Sequence, residues 1–489
     1  MKNAKPNPAV PNWAGWGAPA ALYALALGLR LIPAIFYPGI NHPDEVFQSL
    51  EQAHRLVFGY GAVPWEFEYG ARSWLLPGML AGPMELGSWF GGPAVYLAFV
   101  HLTLAVLASG IVLCAFYWGR NRFGFWGGVI AAAIPALWPD DIYFAARSLS
   151  ECVAAPFLVY AFYLAEPGGR VASARRLWVA GLLLGLAVAL RLQLAPATAV
   201  LLIWMALAEE WRRPIPVLAG ILIVMAFAGA LDAFTWGYPF ASLWRNLTYN
   251  TLYGIGDSFG TEPWYAYAGL LFQLWGGAIL VILALALTGA RFLPAPFLAA
   301  LALLAAHSAV PHKELRFIYP AILLLTLSAG MGLAWLAAWI GARYRVNPSR
   351  CAAVAFFLTA FCAGSLAASP AYRNLWQAGH DMLRADLFVS KLDAVCGIGL
   401  WGAYGGDVYF HRTSPFYWSD EPADFEKYLP AFNTLVAAPP VPPAPGFTPL
   451  RCFGETCVEQ RPGSCADIPM PPLPRPKDLP ALHEPATQD

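Results

Sequence analysis

The sequence predicts a polytopic α-helical membrane protein of about eleven transmembrane helices, closed by a small extracytoplasmic α/β domain. Three observations predict it. The 489-residue chain is 58% hydrophobic and only 12% charged, about half the ~25% charge of a soluble globular protein. Apolar runs of ~18 residues or more, each able to cross a bilayer, recur between residues 18 and 368. Loops rich in arginine alternate with loops rich in acids, the pattern that fixes orientation in a membrane.

The elements follow in order. Residues 1 to 17 hold Lys2 and Lys5 without a clean cleavage site, so the first span, 18–38, reads as retained. Further spans read at 93–117, 124–138, 150–165, 177–190, 194–208, 215–231, 267–288, 293–307, 317–340 and 351–368. The arginine loops, at 119–124, 166–176, 209–214, 289–291 and 341–350, belong in the cytoplasm by the positive-inside rule. The acidic loops, at 39–85, at 138–141, after Asp232 and near His312, then lie outside. The N-terminus is cytoplasmic on this reading, and everything after residue 369 is external. Residues 1–368 form the membrane part, with outer loops at 39–92 and 232–266.

Residues 369–470 read as a separate domain. NLWQAGHDMLRADL (374–387) is helical text. KLDAVCGIGLWGAYGGDVYF alternates strand-like pieces with glycine turns, and LVAA (435–438) is another strand candidate. The proline-rich PPVPPAPG and PPLPRPKDLP cannot be regular helix or central strand, and 471–489 reads as a flexible tail. Cys396, Cys452, Cys457 and Cys465 all fall in this segment. Four cysteines suit one or two disulfides in an oxidising compartment, with free thiols or a metal site as alternatives. GGDVYF lacks the spacing of a nucleotide-binding loop. Without a basic patch carrying stacked aromatics, nucleic acid is not an expected partner.

Four polar clusters fall on the outer side. Ionisable groups beside lipid are costly, so their convergence suggests a functional cavity. The first follows the first span directly, in HPDEVFQSLEQAHRLVFGYG. Asp44 and Glu45 stand where a helix begins, as caps or as functional acids. Val46, Phe47, Leu50, Ala53, Leu56, Val57 and Phe58 make one apolar side, and Gln48, Glu51, Gln52 and Arg55 the other, so the helix reads as lying in the membrane interface. Glu51 and Arg55 are an i,i+4 pair. PWEFEYGARSWLLPG continues the loop: Trp65, Tyr69 and Trp74 read as interfacial anchors, and Arg72 as an anchor or a phosphate ligand.

The second cluster is WPDDIYFAARSLSE, with paired Asp140 and Asp141, and with Arg147 and Glu151 spaced for a mutual salt bridge. The third runs from Asp232 to Trp264 and carries Arg245, Asn246, Tyr249, Asn250 and Glu262, aromatics, amides and acids that suit a sugar. The fourth is AHSAVPHKELRFIYP. There His312, Lys313, Glu314 and Arg316 crowd the start of a span, either snorkelling to the interface or binding a phosphate. His312 also suits proton transfer. No triad or metal-ligand spacing is present, and HExxH is absent.

These motifs carry a resemblance. HPDEVFQSLEQAHRLVFGYG with PWEFEYGARSWLLPG, then DAFTWGYPFASLWRNLTYN, GTEPWYAY and HKELRFIYP, in that order, are similar to the outer loops of the lipid-phosphate-dependent mannosyltransferases of glycosyltransferase family 22. Within it, the chain most resembles the third mannosyltransferase of glycosylphosphatidylinositol anchor synthesis, and it looks like a bacterial relative. The likeness spans residues 38 to 320; the tail after 369 resembles the family poorly.

The resemblance implies a GT-C membrane fold and an inverting transfer of a hexose, mannose first, from a polyprenyl-phosphate donor to a glycan or glycolipid acceptor. It implies a multi-pass protein of the bacterial inner membrane with its site on the periplasmic or extracellular side. Asp44 becomes the general base, with Glu45 second. Arg72, His312, Lys313 and Arg316 become candidates for the donor phosphate or for organising the loops. Asp140, Asp141, Asp232, Arg245, Asn246, Tyr249, Asn250, Glu262, Trp264 and Glu314 become acceptor or sugar-binding candidates. No cofactor is required for a lipid monophosphate donor, and a divalent metal stays open. Glu262 and Tyr265 stand where the family has two histidines around Pro263-Trp264, so acceptor recognition is expected to differ. Two other classes compete. A transporter or flippase of lipid-linked sugars calls for mid-span charges and repeat symmetry, whereas only Arg30 and Arg191 lie near mid-span or a span end. A non-catalytic assembly subunit would not depend on Asp44.

Overall fold

The structure is a computed structural model that describes residues 16–166, 172–208, 210–413, 416–419, 422–471 and 473. The N-terminal lysines, part of the 166–176 loop and nearly all of the proline-rich tail lie outside the described residues.

The chain is a multi-pass helical membrane protein carrying a small C-terminal sheet. Among the described residues, five helices are long and apolar enough to cross a membrane: Gly17–Phe36, Pro93–Leu137, Ile215–Trp236, Leu315–Tyr344 and Pro348–Ala367. Two bent pairs raise this to as many as seven: Pro139–Ala146 with Ser150–Ala165, and Ala266–Trp275 with Ala278–Gly289. Leu192–Ala208 and Pro294–Ser308 are apolar but shorter. The expected span at 267–288 is therefore no straight rod: its halves meet at 109°, across Gly276 and Gly277.

The turn expected between 117 and 124 occurs at Gly124, whose φ of 76° and ψ of −173° break the helix Ile111–Leu137. A side chain would resist that conformation. The two arms fold back on each other, with Gly119 against Gly127 and Ala131, and Gly128 against Phe116. Small residues also let Ala278–Gly289 press on Tyr319–Tyr344. A Cβ on Gly289 would lie 1.8 Å from the Ser328 carbonyl oxygen, and one on Gly332 lies 2.0 Å from that of Leu285. Such backbone approach is how helices pack where lipid supplies no hydrophobic drive.

Asp140 and Asp141, expected to meet substrate, instead brace this bundle. Asp140 accepts hydrogen bonds from Tyr372 (2.5 Å) and Trp275 (2.8 Å), and Asp141 from Thr326 (2.8 Å). Arg30, itself fully enclosed, donates to the Pro135 carbonyl at 2.8 Å and lies within electrostatic reach of Asp141. Both acids have no exposed surface. Polar groups buried this deeply stay only where they are hydrogen-bonded.

Beyond residue 369 two helices, Pro370–Gln377 and His380–Val389, break at Gly379. A five-stranded sheet follows, in the order β2-β1-β3-β5-β4, from β1 (Ile398–Trp401), β2 (Phe416–Ser419), β3 (Thr434–Ala437), β4 (Thr448–Phe453) and β5 (Thr456–Gln460). β1 runs parallel to β2 and β3, while β5 is antiparallel to β3 and β4. The expected strand text DVYF is a helical turn, Asp407–Phe410. Disulfides join Cys396 to Cys465 and Cys452 to Cys457.

This domain packs on the first outer loop, which corrects the expectation of an interfacial helix there. A π-helical turn, Glu45–Leu50, leads into the helix Glu51–Phe58. Glu51, Gln52, Ala53 and His54 on that helix are all buried. Glu51 accepts from the backbone of Ala62 (2.7 Å), Asp407 (3.2 Å) and Val408 (2.9 Å). Tyr96 donates to the Val408 carbonyl, Tyr404 to that of Ile40, and His380 bonds the Pro38 carbonyl. The supposed water-facing side is thus roofed by protein.

Gly289→Ala and Gly332→Ala are expected to destabilise the protein by about 1–3 kcal/mol each. Gly28→Ala, with nothing near its Cβ, should be neutral or better. Thermal unfolding in detergent compares the three.

Candidate functional site

The site is built where the first outer loop meets the segment before Leu315–Ile318. Glu314, in extended backbone, precedes that 3-10 turn and holds three groups at once. His42 Nδ1 lies 3.2 Å from its Oε2, His312 Nε2 lies 3.1 Å from its Oε1, and Arg316 donates through Nε and Nη2 at 2.8 Å each. Burial opposes ionisation of Glu314. The hydrogen bonds from His42 and Arg316, with the Arg316 charge, outweigh it and hold the carboxyl well below the usual range. His312 Nδ1 also reaches the Gly260 carbonyl at 2.9 Å, which ties in the third outer loop.

Arg316 then bridges to the opening stretch. Its Nη2 lies 2.6 Å from Asp44 Oδ2. Asp44 itself has helical backbone angles and makes no capping hydrogen bond, so the capping role is not realised. Its neighbour Glu45 turns the other way, to Arg147 at 3.3 Å and the Ser148 amide at 3.0 Å. Arg147 therefore does not pair with Glu151 as local spacing suggests. Glu151 lies 3.3 Å from Arg191 and 3.9 Å from Arg316. Asp44 is the most accessible of these acids, with 32% of its side chain exposed against 4% for Glu45 and 2% for Glu151.

A cleft opens beside Asp44, with about 770 Å³ of space counting its mouth. Asp44, Gln48, Arg72, Glu151, Arg191 and Arg316 supply its charge and polarity, and Leu75, Leu149, Leu190 and Leu243 are among its apolar lining. Arg72 is set there by its own carbonyl, which accepts from Trp236 Nε1 at 3.0 Å. Next to it Glu66 takes a 2.7 Å hydrogen bond from Gln48. Burial pushes the Glu66 carboxyl up to about 7; Arg72 pulls against this and Asp44 adds to it.

The structure brings together Asp44, Arg72, Glu314 and Arg316, with His312 behind them. Of the candidates in the 232–266 loop, Asn246 reaches the cleft lining. The others organise that loop: Asp232 accepts from the Ser242 amide and hydroxyl (2.9 and 2.6 Å), Arg245 donates to the Tyr69 carbonyl (3.4 Å), and Asn250 to that of Asn246 (3.2 Å). Tyr249 is buried against Trp65 and Tyr69. Glu262 joins its amide to the Pro311 carbonyl, and Trp264 is 73% exposed. Lys313 turns to the Val310 carbonyl. Neither Lys313 nor the enclosed Asp140 and Asp141 line the cleft. Among the described residues, no group of three His, Cys, Asp or Glu gathers as a metal site.

Sequence reasoning passed over Gln48, Glu66, Glu151 and Arg191 as site residues. The signal for the last two was present, as ionisable residues at span ends. The i,i+4 reading of Glu151 absorbed it.

Glu66 generates a pH prediction. Its folded value lies above its unfolded one, so the protonated carboxyl stabilises the fold. That contribution is complete below about 4.5 and is lost as pH rises through about 7. Glu66→Gln should flatten a stability slope of up to about 1.4 kcal/mol per pH unit in that window, read from unfolding midpoints between pH 4.5 and 7.5.

Comparison with known proteins matches residues 21–385 to the Alg9-like mannosyltransferase family. Mannosyltransferase APTG1 of Arabidopsis thaliana is 28% identical over 65% of this chain and 59% of its own length. GPI mannosyltransferase 3 of Yarrowia lipolytica is 29% identical over 61% and 59% respectively. The chain thus spans about three fifths of the length of these curated relatives. Among solved structures, apo ArnT from Cupriavidus metallidurans superposes with a TM-score of 0.61 at 13% identity, covering 91% of this chain and 98% of that one. The archaeal oligosaccharyltransferase AglB from Archaeoglobus fulgidus, solved with an inhibitory peptide and a dolichol-phosphate, gives 0.52 at 13%, covering 87% and 70%. These two are likenesses of fold.

Proposed function

The chain belongs to the Alg9-like mannosyltransferase family, and on that premise we propose that it transfers a hexose, mannose first, from a polyprenyl-phosphate carrier to a glycan or glycolipid. The observation that carries the reading is the placement of Asp44. It is the accessible carboxylate of the cluster, steered through one oxygen by Arg316, at the edge of a cleft lined with guanidinium groups.

In the proposed reaction an acceptor hydroxyl attacks the anomeric carbon from the face opposite the phosphate. The new C–O bond forms as the bond from that carbon to the phosphate oxygen breaks, so the configuration inverts. The hydroxyl proton passes to Asp44 as general base. The leaving phosphate departs as a stable anion, needs little acid help, and is met by cations. The residues present need no metal for this sequence of events. Glu45, bonded to Arg147 and Ser148, serves to hold the loop. Glu314 and His312 position Arg316, and Asn246 of the 232–266 loop lines the cleft on the side we assign to the acceptor.

The same reading covers topology. The two arms of Pro93–Leu137 about Gly124, the bent pairs, and the shorter helices Ala174–Leu190, Leu192–Ala208 and Pro294–Ser308 complete eleven passes with Gly17–Phe36, Ile215–Trp236, Leu315–Tyr344 and Pro348–Ala367. Residues 1–368 are then the catalytic membrane domain and 369–470 an extracytoplasmic domain. The N-terminus is cytoplasmic, and the protein sits in a bacterial inner membrane with its site outside.

Asp44→Asn should lower the turnover number by about 10²- to 10⁴-fold while the protein still purifies as a folded monodisperse species. Near-wild-type turnover in that variant, with Glu45→Gln inactive, would move the base to Glu45; two active variants would end the proposal for either. Product analysis after incubation with several polyprenyl-phosphate sugars and candidate acceptors reads out donor, acceptor and linkage together.

A further inference from the structure

We propose that the seam between the first outer loop and the C-terminal domain is a proton-sensitive joint that positions Asp44, because it sets acid against acid and imidazole against imidazole. Glu51 and His54 face the seam from the helix Glu51–Phe58; Asp407 opens the turn Asp407–Phe410 and His411 follows it. None of the four lines the cleft beside Asp44. The Asp407 carboxyl lies within electrostatic reach of Glu51, and among the described residues its Oδ1 is enclosed without a partner. Arg55, one turn on from Glu51, supplies an opposing charge, and the phenols of Tyr60, Tyr96 and Tyr409 also lie within reach of Glu51. Burial raises both carboxyls, and Glu51 raises Asp407 further; the amides of Val408, Ala62 and Asp407 and the Arg55 charge pull Glu51 the other way. The pair gives up its protons between about 7 and about 8, and two negative charges then share one enclosed space.

The imidazoles mirror this. His54 has no exposed surface and donates through Nδ1 to the Tyr60 carbonyl at 3.1 Å. Its Nε2 therefore carries the lone pair, 3.3 Å from His411 Nδ1, and the Tyr60 hydroxyl lies 3.2 Å from that same nitrogen. A proton added to His54 would meet the N–H of His411. Burial holds His54 down at about 4, with His411 adding to this and the Tyr60 carbonyl opposing it, and burial lowers His411 as well. Arg412 turns away, to the carbonyls of Ser390 and Leu392. The acids sit above their ordinary values, so their share of the docking is complete below 3.8 and lost as pH rises through about 8. The imidazoles sit below theirs, so their share is complete above 6.5 and lost as pH falls through about 4. Docking is tightest in mildly acidic solution. The link to Asp44 is short: the helix of Glu51 continues the π-helical turn that Asp44 opens. Trp418 of the C-terminal domain stacks on Phe47 with ring centroids 5.6 Å apart. A Cβ on Gly406 would lie 2.5 Å from Glu51 Oε2 and 3.4 Å from Val46. The domain thus grips that turn from two residues beyond the proposed base.

The hold on Asp44 rests on the function proposed above; the joint itself does not. The test uses the full chain in detergent and follows hydrogen exchange of residues 46–58, corrected for the intrinsic effect of pH, alongside kcat. Wild type should lose at least about tenfold protection there between about pH 6 and about pH 9, and again toward about pH 4, while the helix Tyr319–Tyr344 keeps its own. Asp407→Asn should hold the alkaline loss within about threefold and remove the matching fall in kcat. Glu66 titrates in the same range and is untouched by this change, so the rescue belongs to the seam. His411→Gln should do the same for the acid loss. If either variant does not fold, Glu51→Gln or His54→Gln replaces it. Wild-type protection that ignores pH, variants that follow wild type on their own limb, or variants offset equally at every pH, as a merely structural contact would be, would overturn the joint. A kcat that still falls at alkaline pH while Asp407→Asn keeps its protection would overturn the hold on Asp44. The expected protection profile in a protein that transfers no sugar would sink the proposed function and leave the joint standing; sugar transfer with protection that ignores pH would do the reverse.

Discussion

Arg316 joins Asp44 across 272 positions of sequence, and the geometry of the outer face hangs on that contact. One guanidinium reaches the first outer loop through Asp44, its own segment through Glu314, and the second cluster through Glu151. Glu314 extends the connection through His312 to Gly260 and through His42 back to the first loop. Acids brought this close repel one another unless a cation stands among them, and the cation in turn is costly to desolvate alone. The arrangement is stable only as a whole, so four segments far apart in the chain are fixed relative to one another by a few short bonds.

The bundle solves a different problem with the same chemistry. Asp140, Asp141 and Arg30 sit where no water reaches, and each finds partners on other helices: Tyr372, Trp275, Thr326 and the Pro135 carbonyl. In an apolar surrounding a polar group that finds even one hydrogen-bond partner marks one packing against many. Together with the close backbone approach at Gly289 and Gly332, these contacts specify helix neighbours that greasy surfaces alone would leave ambiguous.

Much of this was legible in the sequence. Apolar run length and charge alternation gave the membrane class, since each is a local property with one dominant physical cause. The motifs around Asp44, Arg72 and His312–Arg316 marked the segments that do converge. Pairings were another matter. Arg147 and Glu151 stand at ideal helical spacing, yet their partners, Glu45 and Arg191, lie 102 and 40 positions away. Local spacing states what is possible at no tertiary cost, and a converging site overrides it. The helix Glu51–Phe58 failed for the same reason: its polar side seemed meant for water because the backbone amides of Asp407 and Val408 that fill it come from the far end of the chain. Asp140 and Asp141 looked like surface acids because an aspartate hydrogen-bonded inside a bundle is written with the same letters.

That seal by the C-terminal domain has a bearing on how the protein is made. The helix that follows Asp44 is among the first parts to leave the ribosome, and Glu51 on it, with the nearby Ala62 amide as a local donor, waits for two further amides from positions 407 and 408. Until residues 407 and 408 have been synthesised, carried to the same side and folded into place, the first outer loop lacks its cover. The fold thereby orders its own assembly: the wall behind the acid cluster closes only after the segment carrying Asp407 and Val408 has been made and docked.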